Sequence, residues 1–161
     1  MRNRLLFPAV LLAVTLQAVL SSGQQLTIQD ESGKQTILTR AELETLPRVK
    51  VTTGASNSSA AFEGVSLNVL LEKADVSLGE TMKGKRMASY LLVEAADGYR
   101  VVFALPEIDP AFGNKQVILA FLKDGKPLDA KEGPYRIVVP DEKRMARWVR
   151  QVTTLRIVAA P

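Results

Sequence analysis

An α+β domain with a mixed, mostly antiparallel sheet and a few short helices is the fold class this sequence predicts. Three observations carry it. Seven or eight short segments are rich in β-branched and aromatic residues. Two or three short helical segments interrupt them. Their order is irregular, unlike the strict strand–helix alternation of a doubly wound parallel sheet.

The elements follow in chain order. Gln25–Gln29 alternates polar and apolar residues, with Leu26 and Ile28 on one side, and reads as a strand. Asp30 to Gly33 is a turn, and Gln35–Leu38 returns as the second arm of a hairpin. Thr39 and Glu42 form a T-x-x-E capping box, so a helix over 40–46 should stop before Pro47. Val49–Thr53 is the next strand. Ser66 is an N-cap ahead of Leu67, Leu70 and Leu71, which predicts a short, largely buried helix over 67–74. Gly79 to Arg86 is a polar connector. Ser89–Ala95 and Tyr99–Ala104 flank Asp97–Gly98, the strongest local hairpin signal in the chain. Pro106 opens a short helical piece over 106–111. Gln116–Leu122, Tyr135–Val139 and Val152–Val158 are three further strands.

The first residues are unlike the rest. Arg2 and Arg4 precede an apolar run, Leu5 to Leu20, and then Ser21, Ser22 and Gly23. This is the three-part layout of a secretory signal. Residues 1–23 are therefore expected to be a signal peptide, cut after Gly23 or slightly earlier, and residues 24–161 a single periplasmic or secreted domain. An uncleaved anchor is the rival reading, with about 18 apolar residues needed to span a bilayer. Loss of Arg2 and Arg4 would leave 19 basic against 17 acidic residues, a net charge of only +2. Neither a nucleic-acid partner nor, after cleavage, a membrane is expected.

The chain has no cysteine and no histidine. That excludes a thiolate nucleophile, a Ser–His triad, a haem ligand and an ordinary zinc site. No acidic loop of the EF-hand kind is present. Lys50 and Thr52 share a strand face, yet so does any i, i+2 pair, and nothing in the spacing demands an activated nucleophile.

Four stretches together resemble one family. FEGVSLNVLLEKA (62–74) resembles a "W-x-G-V-P-L-x-x-L-L" segment. ADGYRVVFALPEI (96–108) is similar to an "A-D-G-Y" hairpin. VILAFLKDGKPLDAKEGPYRIVVP (117–140) resembles a stretch ending "G-G-P-x-R-L-V-V-P". RWVRQVTTLRI (147–157) is similar to a closing "K-W-x-x-x-I". The family is the sulfite-oxidase-like, molybdopterin-binding oxidoreductase domains, and the resemblance covers residues 45–158. It implies a sulfite-oxidase-like fold. It also implies a molybdenum-binding cysteine at the end of the strand before Gly64. Counting back without gaps, that position is Thr52; a one-residue slip makes it Thr53. Either way an alcohol stands where active members have a thiolate. Arg136 matches the Arg of "G-P-x-R", Arg150 matches a cation before the last strand, and Arg147 lies three residues earlier. Guanidinium groups hold phosphate or carboxylate in a fork.

Export points the same way. MRNRLLF lacks an Arg–Arg pair, whereas the resemblance implies that members carrying the cofactor are generally exported folded by a twin-arginine signal. The expectation is a domain with no cofactor and no redox chemistry. It would bind a small anion or an exported protein through a site including Thr52, Arg136, Arg147 and Arg150. The alternative is a molybdopterin-dependent oxidoreductase with Thr52 in place of the cysteine.

Some features stay open. Gly54–Ser59 is either a solvated loop or the floor of a pocket. Asn57 begins a glycosylation sequon, meaningful only in a eukaryotic secretory pathway. Lys143, Arg144, Arg147 and Arg150 form an anion site, a docking patch for an acidic partner, or a solvated turn. Trp148 is a core anchor or lines a pocket. Tyr99 and Tyr135 read as packing residues and Asp97 as a turn residue.

Overall fold

The structure, a computed structural model, describes residues 24–54, 59–113 and 115–160. The segment read as an export signal lies outside these residues, as do Ser56, Asn57 and Ser58 of the small-residue stretch.

Two sheets make the frame. The first contains β1 (Gln25–Gln29), β2 (Gln35–Thr39), β5 (Tyr90–Ala95), β6 (Arg100–Ala104) and β10 (Val152–Val158), in the order β2-β1-β10-β5-β6. The β1–β10 pair is parallel and the other pairs of this sheet are antiparallel. The second sheet runs β3 (Arg48–Thr53), β4 (Ala60–Ser66), β7 (Ile118–Lys123) and β8 (Lys126–Pro127), with β9 (Arg136–Val138) also paired to β7. All of its pairs are antiparallel. The expected class is observed, with its strands divided between two sheets rather than laid in one. Among the described residues, no helix is long and apolar enough to cross a membrane.

Local chemistry explains most boundaries. Helix α1 (Arg40–Thr45) carries the capping box: Thr39 accepts from the Glu42 amide, and the Glu42 carboxylate accepts from the Thr39 amide. Helix α2 (Leu67–Lys73) buries Leu67, Leu70 and Leu71. The Ser66 hydroxyl makes no capping bond there and meets Asn68 instead. Helix α3 (Leu105–Ile108) has Pro106 in its first turn, and Glu107 accepts from the Ala104 amide. The connector after α2 folds into two 3-10 turns, Gly79–Thr81 and Gly84–Ala88. At the β5–β6 turn Gly98 takes φ +84°, open to glycine at no steric cost, and Asp97 accepts from the Tyr99 amide.

The strand β4 was not evident from sequence. Its residues AAFEGVS mix small and large side chains and do not alternate, and β4 is central, with β3 on one edge and β7 on the other. Its register with β7 shifts between Glu63 and Gly64. A Cβ on Gly64 would lie 2.0 Å from the Leu119 carbonyl oxygen and 2.6 Å from the Ala120 Cα. Only glycine fits that approach.

The buried apolar side chains form one hydrophobic core to which both sheets contribute. Leu26, Ile28, Leu91, Phe103, Leu155 and Ile157 come from the first sheet; Val51, Phe62, Val65, Leu119, Phe121 and Ile137 from the second. Burying such side chains contributes about 1.5–3 kcal/mol each. Outside the core, Arg40 lies 4.3 Å from the Phe121 ring centroid.

Candidate functional site

A cleft of about 420 Å³ opens beside Gly54, the first residue of the small-residue stretch. Thr53, Gly54 and Ala60 form one wall, and Phe62 and Trp148 an aromatic side. Lys123, Arg136 and Lys143 supply cations, and Glu132 and Glu142 the carboxylates. Pro140 and Met145 complete the rim.

Each wall follows from the strands behind it. Residues alternate along β3, so Val51 and Thr53 share the inner face while Lys50 and Thr52 point to solvent. Phe62 lies on β4 directly opposite Val51. Lys123 ends β7, and Arg136 opens β9. The segment 148–152 is stitched alongside: the Ile137 amide donates to the Val149 carbonyl, the Val152 amide to the Tyr135 carbonyl, and the Gln151 amide to the Glu132 carbonyl. This places Trp148 beside Arg136. The Trp148 indole donates to the Val139 carbonyl at 3.1 Å, satisfying its one polar atom.

Arg136 is the centre of the site. It is 8% exposed. Its guanidinium lies 5.5 Å from both the Phe62 and Trp148 ring centroids, and those rings meet edge to face at 5.9 Å. Its Nη1 donates to Glu132 Oε1, and Lys123 Nζ lies 3.3 Å from Glu132 Oε2. The Arg136 Nε is buried and has no hydrogen-bond partner among the described residues. A buried, under-satisfied guanidinium is costly to stability, which marks its site as one kept for another purpose.

Glu142 faces the cleft but belongs to a second network. Its Oε1 accepts from Arg147 Nε at 2.8 Å and from Lys115 Nζ at 3.2 Å. Arg147 Nη1 also reaches Glu107 at 3.0 Å, and Lys115 lies 3.7 Å from Glu107. Burial works to raise the Glu142 carboxyl, but hydrogen bonds from Arg147 and Lys115 outweigh it and hold it below the usual carboxylate range. Burial likewise opposes the Arg147 charge, and Glu142 and Glu107 outweigh it.

The four residues singled out from sequence therefore stand apart. Arg136 lines the cleft. Thr52 is exposed on the opposite face of β3, and Thr53, the slipped position, brings its side chain to the cleft. Arg147 is committed to Glu142 and Glu107 and stacks over Phe103 at 4.3 Å. Arg150 lines a second hollow of about 250 Å³, with Asp97 and Tyr99, that shares Met145 and Trp148 with the cleft. Lys143 and Trp148, weighed as cluster and core residues, are part of the cleft. Lys123 and Glu132 were missed; a glutamate four residues before the arginine of "G-P-x-R" is the signal that would have found the ion pair.

The profile of the family described as the oxidoreductase molybdopterin binding domain matches residues 15–161. The chain belongs to that family. Among solved structures it is similar to the sulfane dehydrogenase SoxCD from Paracoccus pantotrophus, with 24% identity and a TM-score of 0.64. The match covers 84% of this chain and 38% of that one, so the chain spans well under half the length of that neighbour. This likeness shows the sulfite-oxidase-like fold. A search of curated proteins finds no match.

Whether the cleft fits the group in the family's description turns on its donors. The chain contains no cysteine, and the hydroxyl of Thr53 stays protonated at neutral pH, a poor metal ligand. Among the described residues, no cluster of three or more histidine, cysteine or carboxylate groups is placed to hold a metal ion. The donor set does not fit a molybdenum centre anchored by the protein. It does suit an anionic group, with three cations and a ring pair around one opening.

Proposed function

We propose that this domain binds a small anion in the Arg136 cleft and performs no redox chemistry of its own. The family's scaffold is kept while the soft ligand that would anchor molybdenum is replaced by a threonine hydroxyl. The observation that carries the reading is Arg136. It is buried between two aromatic rings, is only part-satisfied by Glu132, and is accompanied by Lys123 and Lys143. Charge-assisted hydrogen bonds in such a low-dielectric recess are about twice as strong as neutral ones. The domain acts after export, in the periplasm or outside the cell, as an accessory module without cofactor. A protein partner, if it has one, is another exported protein.

Membership of the family supports one second reading. In it the domain is a molybdopterin-dependent oxidoreductase whose metal has no protein thiolate, with the threonine hydroxyl of β3 in its place.

Two measurements on protein purified from its native source separate these. Metal analysis should find no stoichiometric molybdenum, because the soft thiolate ligand is absent. Oxidised extracts should lack pterin fluorescence. Stoichiometric molybdenum with pterin would overturn the proposal. Anion titration then tests binding directly: the chain has one tryptophan, and it lines the cleft, so its emission reports occupancy.

A further inference from the structure

The geometry points to a doubly charged anion on an aromatic or apolar body as the ligand of this cleft, with Glu132 as the residue that selects it. This rests on the anion-binding reading above and names the ligand class for the same site.

The charges facing the cleft can be counted. Glu142 does not count against a ligand, because Glu142 and Glu107 are matched by Arg147 and Lys115 in a closed set of two carboxylates and two cations. That leaves Lys123, Arg136 and Lys143 against Glu132. The balance is two positive charges. Among the described residues Lys143 makes no ion pair, while Lys123 and Arg136 share one carboxylate.

Glu132 occupies the place a ligand carboxylate would take. One of its oxygens takes the Arg136 guanidinium and the other the Lys123 ammonium. It is also fixed on a turn, where its own amide and that of Lys131 donate to Asp129 Oδ1. A tethered carboxylate acts at an effective concentration of about millimolar or higher. A free monoanion gains only the Arg136 Nε that Glu132 leaves open, and must otherwise displace Glu132 from Lys123 and Arg136, so it competes poorly. A dianion brings a second charge, engages Lys143, and leaves the cleft neutral with Glu132 in place. The rings of Phe62 and Trp148 and the thioether of Met145 then face whatever body carries the charge.

Two probes of matched shape test this: phenyl phosphate and benzenesulfonate at pH 8, where the phosphate ester, with a second pKa of about 6, carries two charges. Binding is read by calorimetry and by Trp148 emission. In the wild-type domain phenyl phosphate should bind at least about tenfold more tightly, which is about 1.4 kcal/mol. Glu132→Gln should raise benzenesulfonate affinity by roughly tenfold and narrow the ratio, through loss of the competing charge. Lys143→Ala, at an exposed position that leaves the fold intact, should weaken phenyl phosphate by about fivefold and benzenesulfonate by less than about twofold. Equal wild-type affinities overturn the inference and leave the anion site standing. So does an unchanged ratio in Lys143→Ala, or in Glu132→Gln with native circular dichroism. Failure of both probes to bind removes the anion site itself, and this inference with it.

Discussion

Replacing Gly64 by alanine should be among the most damaging single changes in this domain. The added methyl would sit 2.0 Å from the Leu119 carbonyl oxygen and 2.6 Å from the Ala120 Cα, both backbone atoms of β7. A tolerated carbon–oxygen separation is about 3.3 Å, so β4 and β7 must part by roughly 1.3 Å. No side chain can rotate away to provide it. Separation weakens about two ladder hydrogen bonds of about 1 kcal/mol each. Overpacking adds about 1–3 kcal/mol. The sum, about 3–5 kcal/mol, is a large fraction of a typical domain stability of about 5–15 kcal/mol. Urea denaturation is the assay: with a slope of about 2 kcal/mol per molar, the midpoint should fall by about 2 M. Gly98→Ala is the control. Its φ is +84° with no heavy atom near the added carbon, so it should cost only the left-handed backbone penalty of about 1–2 kcal/mol. A Gly64→Ala midpoint within about 0.3 M of wild type, or no lower than that of Gly98→Ala, would refute the close-approach argument.

Three further outcomes are expected. Arg136→Ala leaves Glu132 facing Lys123 alone in a mostly buried setting and should destabilise the domain by about 3–5 kcal/mol, measured by thermal melting; a loss below about 1 kcal/mol would mean the pair is not buried in solution. Glu142 has a lowered folded-state pKa, so the stability it contributes is present above its unfolded pKa and is lost as pH falls through the folded one. Stability measured from about pH 6 down to pH 3 should therefore decline less steeply in Glu142→Gln than in wild type, and parallel curves would count against the network. Burial pushes the Tyr135 hydroxyl up to about 12; weaker contributions are opposed, Arg40 lowering it and Glu44 raising it. Its contribution to stability is complete below the unfolded value of about 10 and lost as pH rises towards 12. Tyr135→Phe should flatten that alkaline loss and cost about 1 kcal/mol at pH 7 through the missing bond to the Gln24 carbonyl.

The readable parts of this fold are those where local chemistry agrees with the tertiary outcome. The β1–β2 hairpin, the capping box of α1 and the Asp97–Gly98 turn are specified within a few residues, and each forms where expected. The division into two sheets depends on long-range pairing, such as β1 with β10, which no local pattern encodes. Strand β4 was hidden because both its edges are paired and its glycine answers to Leu119 across the sheet. The site divides the same way. Arg136 was legible from its motif. Arg147 and Arg150, three residues apart, looked like neighbours on one surface, but a 3-10 turn at Met145–Arg147 sends the first to Glu142 and the second to a different hollow. Glu132 and Lys123 lie in an irregular segment and at a strand end, where periodicity carries no signal.

The four-membered charge set of Glu107, Lys115, Glu142 and Arg147 has a mechanical reading as well. It rivets the stretch bearing Lys143 and Met145 to α3, at the far border of the first sheet, while Tyr99 pins the same stretch through the Ala146 carbonyl at 2.8 Å. One lip of the cleft is thus braced from outside by Glu107, Lys115, Arg147 and Tyr99, none of which lines it. Changes at Glu107 or Tyr99 should slacken that lip and, on the proposed reading, shorten the lifetime of a bound anion as followed by Trp148 emission; a screen confined to the cleft would overlook them.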